Sequence, residues 1–167
     1  EGVLNRELSK LLKEDIVVIG ASRTDSGVHS YGNVAVFDTN ARMPAEKISY
    51  ALNQRLPDDI VVQNSSEIPL DWHPRHCNSR KTYEYRILNR EFPMPQRRLD
   101  TWFVYRKLNI PAMCEAAEQF EGTHDFKSFC SVNTAVEDTT RTIYSCELKQ
   151  DGELLTIRIT GSGFLYN

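Results

Sequence analysis

The feature that most constrains the fold is a hairpin signal in the last quarter of the chain. Residues 142–149 and 154–160 have the composition of strands, and they flank Asp151-Gly152, a pair that favours a tight turn between antiparallel strands. Residues 81–88 also alternate in character, with Tyr83 and two further large residues on one side. These segments predict long antiparallel strands in the second half of the chain.

Three other segments show the period of amphipathic helices. Residues 2–14 place four leucines on one stripe, Pro44 opens a second helix that Pro57 ends, and Pro111 starts a third that Gly122 ends. The residues expected to face the core are Leu4, Leu8, Leu11 and Leu12, then Ile48, Ala51 and Leu52, and then Met113, Ala116, Ala117 and Phe120.

Short apolar runs between these helices predict further strands at residues 16–20, 34–37, 60–63 and 101–105. Residues 90–98 form a basic loop that carries prolines. Strands and helices alternate along the chain, but hairpins also occur. This mixture predicts an α+β fold with a mostly antiparallel sheet and helices on one face. No linker, low-complexity segment or clean domain boundary is visible.

The composition is that of an ordinary globular protein. The 167 residues are 40% hydrophobic and 26% charged. No apolar run approaches the roughly 18 residues that a membrane span needs, and we expect no signal peptide before the first helix. The four cysteines form no CxxC pair, so we expect reduced thiols and a cytoplasmic location.

Positive charge is concentrated in one segment of an acidic chain. Residues 72–107 hold nine cations and three anions, a net of +6, so that the rest of the chain carries −9 within the total of −3. Such a stripe suits the docking of one polyanion on a single face, and solvated charges on strand faces explain it equally well. The cations are Arg75, Arg80, Lys81, Arg86, Arg90, Arg97, Arg98, Arg106 and Lys107.

The segment whose side chains are best suited to catalysis is residues 21–29, a polar stretch between two predicted strands. Arg23 stands beside Asp25 and would keep its carboxylate ionised, and Gly27 allows a tight turn or the close approach of a ligand. A positioned, ionised Asp can act as a covalent nucleophile. An ordinary turn with a salt bridge is the alternative that these residues leave open.

The sequence Arg-Thr-Asp-x-Gly-Val-His at residues 23–29 resembles the nucleophile motif of the tRNA pseudouridine synthase A (TruA) family. Four further segments agree with that family in the same order, and the resemblance covers nearly the whole chain. They are residues 56–60, Arg80-Lys81-Thr82-Tyr83-Glu84-Tyr85, Gly122-Thr123-His124-Asp125-Phe126-Lys127-Ser128-Phe129, and Gly163-Phe164-Leu165-Tyr166-Asn167.

The resemblance implies the pseudouridine synthase fold, a mixed but mostly antiparallel sheet flanked by helices. Two ferredoxin-like (RRM-like) halves would share that sheet. Residues 1–76 would form the half with the nucleophile loop, and residues 77–167 would form the half with the second and third motifs.

The resemblance also implies an isomerase that converts uridine to pseudouridine in tRNA. The targets would lie in the anticodon stem-loop, at tRNA positions 38 to 40, and the enzyme would flip the base out at a cost of a few kcal/mol. The family uses no cofactor and no metal, and its members are homodimers.

Site residues follow from the motifs. Asp25 matches the nucleophile, and Arg23 matches an arginine that displaces or holds the flipped nucleotide. Tyr83 would stack on the extruded base and take part in proton transfer, although a strand tyrosine is more often a core residue. Phe164 and Leu165 would wall the pocket. The other expected substrate-binding residues are Thr24, Gly27, His29, Arg80, Lys81, Arg97 and Arg98.

Two further segments give weaker indications of a functional role. Residues 73–77 contain two histidines and a cysteine, but no second ligand cluster follows at zinc spacing, so a substrate-facing or structural loop is expected. His124 and Asp125 are expected to form local hydrogen bonds between core residues Phe126 and Phe129.

The sequence departs from the family pattern at Asn33, where members usually carry Gln. The family also has a first strand and a Gly-Trp-Gln segment that would precede Glu1, and a Met-Val-Arg segment that would follow Asn167. The arginine of that segment pairs with the nucleophile. We therefore expect the sequence to lack the first strand and to stop within the third motif.

Two other functions remain open. A non-catalytic RNA-binding domain would use strand aromatics and basic loops but would not need the arrangement of Arg23 and Asp25. A hydrolase or phosphotransferase with an Asp nucleophile would need Mg²⁺ and further carboxylates, and after Asp25 none occurs before Asp38.

Overall fold

A computed structural model describes residues 1–131 and 136–165 of the chain. The chain divides into two compact units, Glu1–Asn78 (unit 1) and Ser79–Asn167 (unit 2).

Unit 1 contains two helices, α1 (Gly2–Leu12) and α2 (Ala45–Asn53), and two short antiparallel strands, β1 (Ile19–Gly20) and β2 (Ala35–Val36). The predicted stripe of α1 is confirmed, because Leu8 and Leu12 are buried while Leu4 and Leu11 pack against the same core. The buried residues of this core are Leu8, Leu12, Ile16, Val18, Ile48 and Leu52.

The strands predicted in unit 1 are shorter than expected, and the one predicted at residues 60–63 does not form in the described chain. Asn53, the last residue of α2, takes the place of a neighbouring strand there. Its Nδ2 donates to the Val62 carbonyl oxygen, and the Val62 N–H donates to its Oδ1, both at 2.8 Å. A side-chain amide therefore satisfies the backbone groups that a ladder would have used.

Unit 2 is built on a five-stranded sheet in the order β4-β3-β7-β6-β5. Only β3 and β4 are parallel, so the predicted mostly antiparallel α+β layout is confirmed. Helix α3 lies against β6. The elements are β3 (Lys81–Asn89), β4 (Trp102–Val104), α3 (Ile110–Glu118), β5 (Gly122–Asp125), β6 (Thr140–Asp151) and β7 (Leu154–Gly161), with 3₁₀ turns at Pro95–Arg97 and Lys127–Phe129.

The predicted hairpin is confirmed. Strands β6 and β7 pair up to Asp151 and Leu154, and Gly152 has a φ of 58°, the left-handed conformation that its turn requires. Strand β7 lies at the centre of the sheet, and its Leu155 is opposite Ile87 of β3 and Gln150 of β6. The core of unit 2 is therefore centred on this strand.

Three expectations about residues 110–129 were wrong. Gly122 starts strand β5, which was not predicted, and α3 ends earlier, with Gln119 as its C-cap. Ala116 is exposed, so Ala117 is the buried alanine of the helix. Phe129 is 59% exposed and lies outside the core. The strand carried no burial signal because all four of its residues are exposed.

The described strands form a five-stranded sheet in unit 2 and a small two-stranded sheet in unit 1. In unit 1 the two strands are only two residues long.

No helix among the described residues is long and apolar enough to cross a membrane. All four cysteines are free thiols, and burial raises the pKa of Cys146 above its ordinary value.

Candidate active site

The loop that carries Asp25 is closed at its base by backbone pairing. Strands β1 and β2 pair at Gly20 and Ala35, and beyond them the Ala21 N–H donates to the Val34 carbonyl oxygen at 2.8 Å. Asn33 adds a further closure, because its Nδ2 donates to the Ser22 carbonyl oxygen at 3.1 Å. The amide at position 33 therefore ties the two ends of the loop together, a role that the sequence did not reveal.

The tip of the loop is a turn around Asp25. The Val28 N–H donates to the Asp25 carbonyl oxygen at 3.2 Å, and Gly27 has a φ of 81°. A Cβ at Gly27 would meet nothing within 4 Å, so the backbone conformation, and not lack of space, requires glycine there. All five predicted loop residues are exposed: Arg23, Thr24, Asp25, Gly27 and His29.

The expected ion pair between Arg23 and Asp25 does not form within 4.0 Å in the part of the chain that the structure describes. The loop backbone therefore positions Asp25 at the surface of unit 1. A solvent-facing carboxylate on a turn whose base is clamped is accessible to a large substrate such as a nucleic acid.

Residues 73–77 support the loop that carries Asp25. Arg75, one of the cations of the basic stripe, donates from Nε to the Gly20 carbonyl oxygen at 2.9 Å. The rings of His73 and His76 meet edge to face at 4.5 Å, and the Cys77 thiol lies 3.4 Å from the Pro74 carbonyl oxygen. These contacts favour the structural interpretation of the segment. Within the described ranges no group of three His, Cys, Asp or Glu residues could hold a metal.

In unit 2, the structure brings together two of the predicted site residues. The rings of Tyr83 and Phe164 meet edge to face, with centroids 4.8 Å apart and planes at 86°. Tyr83 is 38% exposed, so part of its ring is open to a ligand. Leu165 is half-buried. Tyr166 and Asn167, the remaining residues of the third motif, lie outside the described residues.

Several cations of the basic stripe are neutralised within the sheet. Arg86 pairs with Glu84 at 2.7 Å and with Asp100 at 3.5 Å, and Arg97 pairs with the same aspartate at 3.0 Å. Arg158 also forms an ion pair with Glu84, at 2.8 Å. The hydrogen bond from Arg158, and to a smaller extent the one from Arg86, holds the pKa of Glu84 below its ordinary value. The stripe therefore contributes less free positive charge than its composition indicates.

Three of the cations that were expected to bind substrate lack such partners. Within the described residues neither Arg80 nor Lys81 nor Arg98 forms an ion pair with a carboxylate, and Arg98 only approaches the Pro95 carbonyl oxygen at 3.5 Å. The Arg80 guanidinium instead lies over the ring of Tyr144, 4.4 Å from its centroid. No signal in the sequence marked Tyr144, since its partner is 64 positions earlier in the chain.

This mixed five-stranded sheet with helices and a second small sheet has the α+β character of the pseudouridine synthase fold. A family model described as tRNA pseudouridine synthase matches residues 1–76 and 116–167. The chain belongs to the tRNA pseudouridine synthase family, and it is an isomerase.

Curated relatives agree with this assignment. A protein of Thermoanaerobacter sp. (strain X514) is 44% identical over 165 residues, which are 99% of this chain and 68% of that protein. A protein of Acetivibrio thermocellus is 42% identical over 167 residues, 100% of this chain and 68% of that protein. One of Clostridium acetobutylicum is 45% identical over 163 residues, 96% of this chain and 66% of that protein. All three are named tRNA pseudouridine synthase A.

Proposed function

We propose that this enzyme isomerises uridine to pseudouridine in the anticodon stem-loop of tRNA, at positions 38 to 40, with Asp25 as the nucleophile. The observation that carries the proposal is the segment 23–29, which has the nucleophile motif and presents Asp25 at the exposed tip of a clamped loop. Membership of the family and the names of the relatives support the substrate class.

The reaction breaks the bond between ribose C1′ and base N1 and joins C1′ to C5 of the same base. The C5 hydrogen leaves as a proton and N1 gains one, so the atoms balance without a co-reactant. The Asp25 carboxylate would form a covalent bond to C1′ or to C6, or it would stabilise a glycal route. Arg23 would hold the flipped nucleotide on the same loop.

Tyr83 would provide the surface on which the flipped base stacks. Its edge-to-face contact with Phe164 fixes the orientation of the ring, and the exposed part of the ring is free for a base. Phe164 and Leu165 would exclude water from one side of the base. A homodimer and a cytoplasmic location complete the proposal, both carried over from the family resemblance.

The test of the proposed function is tritium release from unmodified tRNA that contains 5-tritiated uridine. We expect release, with pseudouridine mapped to the anticodon stem-loop. Binding of tRNA without release would instead support a non-catalytic RNA-binding domain. Activity that EDTA abolishes would support a metal-dependent reaction at Asp25.

Substitutions at Tyr83 separate stacking from proton transfer. Tyr83→Phe keeps the ring, so we expect tRNA affinity within about twofold of wild type and a kcat lowered by roughly 10²-fold. Tyr83→Ala also removes the stacking surface, so affinity should fall by roughly 1–3 kcal/mol. Filter binding and tritium release measure the two effects.

The matched control is Tyr85→Phe, which removes a hydroxyl two positions along the same strand. This variant should have wild-type kinetics. If Tyr83→Phe and Tyr83→Ala have the same rate and the same affinity, Tyr83 does not stack on the base.

A further inference from the structure

Strand β6 contains an irregularity at Tyr144. Ile143 is paired with Gly161 and Ser145 is paired with Thr160, which leaves Tyr144 without a partner in the ladder. A bulge of this kind redirects a side chain, and bulges are frequent next to active sites. Tyr144 is 42% exposed. The irregularity therefore presents an aromatic ring at the surface of unit 2.

Arg80 lies on this ring. Its guanidinium is 4.4 Å from the Tyr144 ring centroid, within the range of about 6 Å in which an aromatic face attracts a cation. Arg80 is exposed, and no carboxylate pairs with it in the described part of the chain. The ring thus restrains a charged group whose N–H donors remain available to an external anion.

This pair lies at the same end of the sheet as Tyr83 and Phe164. Lys81, the residue after Arg80, pairs with Gly161, and so does Ile143, the residue before Tyr144. A Cβ on Gly161 would lie 2.9 Å from Ile143 Cδ1 and 3.4 Å from the Phe164 ring, so the absence of a side chain at Gly161 leaves room for both of these side chains. Phe164 follows Gly161 by three residues. The Arg80–Tyr144 pair and the residues proposed to hold the flipped base therefore share one end of the sheet.

We propose that Tyr144 is a positioning residue that holds the Arg80 guanidinium for a phosphate of the RNA backbone beside the target nucleotide. This inference rests on the proposed function. A guanidinium without a carboxylate partner offers a planar fork of donors that matches two phosphate oxygens. Stacking on the ring restricts the long arginine side chain before the RNA arrives, so less rotational freedom is lost on binding.

The test measures affinity for unmodified tRNA by fluorescence anisotropy over a range of salt concentrations. Arg80→Ala should raise Kd roughly tenfold and lower the log–log salt slope by about 0.7 to 0.9, because one phosphate contact is lost. Tyr144→Ala should raise Kd about two- to fivefold and leave the slope unchanged, because the charge remains. Tyr144→Phe keeps the ring and should bind like wild type.

The double variant decides whether the two residues act together. Tyr144→Ala should have no further effect when Arg80 is already alanine, since the ring acts through the guanidinium. Turnover adds a second readout, because the phosphate is bound in the ground state and in the transition state alike. Tyr144→Ala should therefore raise KM and leave kcat within about twofold.

Tyr50 supplies the matched control. It is an exposed tyrosine of α2 with the Lys47 amine 5.6 Å from its ring centroid, and Tyr50→Ala should leave tRNA affinity unchanged. If Tyr144→Ala does not fold, Arg80→Lys decides the question. It should keep the salt slope and lose several-fold in affinity, because an ammonium lacks the planar fork.

Four results would overturn the inference: additive effects in the double variant, a Tyr144→Phe enzyme as weak as Tyr144→Ala, wild-type affinity in Arg80→Lys, or an equal loss in Tyr50→Ala. Failure of the proposed function has a different signature. The wild-type enzyme would then release no tritium from unmodified tRNA, whether or not it binds that tRNA.

Discussion

Replacing Asp25 with Asn will lower turnover on tRNA by at least about 10³-fold and leave tRNA affinity within a few-fold of wild type. An amide is nearly isosteric with a carboxylate, but it cannot act as an anionic nucleophile. The turn should persist, because its hydrogen bond from Val28 is accepted by the backbone oxygen of residue 25, and Asn suits turns as well as Asp does. Single-turnover tritium release with excess enzyme measures the loss.

The matched control is Asp38→Asn, a change of the same kind at an exposed carboxylate just beyond β2. That variant should be as active as the wild type. Multiple turnover by pure Asp25→Asn enzyme would refute the nucleophile assignment. Loss of tRNA binding together with loss of turnover would instead place Asp25 in substrate binding.

Replacing Leu155 with Ala will destabilise the protein by about 2–5 kcal/mol. Leu155 is 1% exposed, the most completely buried large side chain of the described core, and it lies in β7 between β3 and β6. Truncation removes buried apolar surface and leaves a cavity at the centre of the sheet. Urea denaturation followed by circular dichroism should show a lower midpoint with an unchanged m-value.

Leu70→Ala provides the comparison for that measurement. Leu70 is 95% exposed, so the same truncation should change the free energy of unfolding by no more than about 0.5 kcal/mol. Equal effects of the two substitutions would contradict the burial of β7 at the centre of unit 2. A changed m-value in Leu155→Ala would show that the denatured state or the cooperativity of unfolding has changed.

Features that depend on neighbours in the chain were predictable. The stripe of α1 and the hairpin at Asp151-Gly152 both express a period or a turn preference within a few residues. The same holds for the segment 23–29, whose residues form one local turn. The family was identified from such segments because each motif is contiguous in the chain.

Features that depend on distant partners were not predictable. Strand β5 has no buried face, so its four residues carry no periodic signal, and only its pairing with β6 defines it. The segment 60–63 has the composition of a strand, but its hydrogen bonds to Asn53 replace a ladder. Local composition therefore predicted one strand that does not form, at residues 60–63, and missed one that does form, β5.

The sequence by itself determined the family, the position of the loop that carries Asp25 and the alternation of the main strands. The tertiary structure alone decided which charges are free. Glu84 pairs with Arg158 across 74 positions, Arg75 reaches Gly20 across 55, and Arg80 meets Tyr144. The physical reason is that strand register, and not proximity in the chain, sets which side chains meet across a sheet. The basic stripe was thereby divided into cations in structural ion pairs and a few cations that have no carboxylate partner among the described residues.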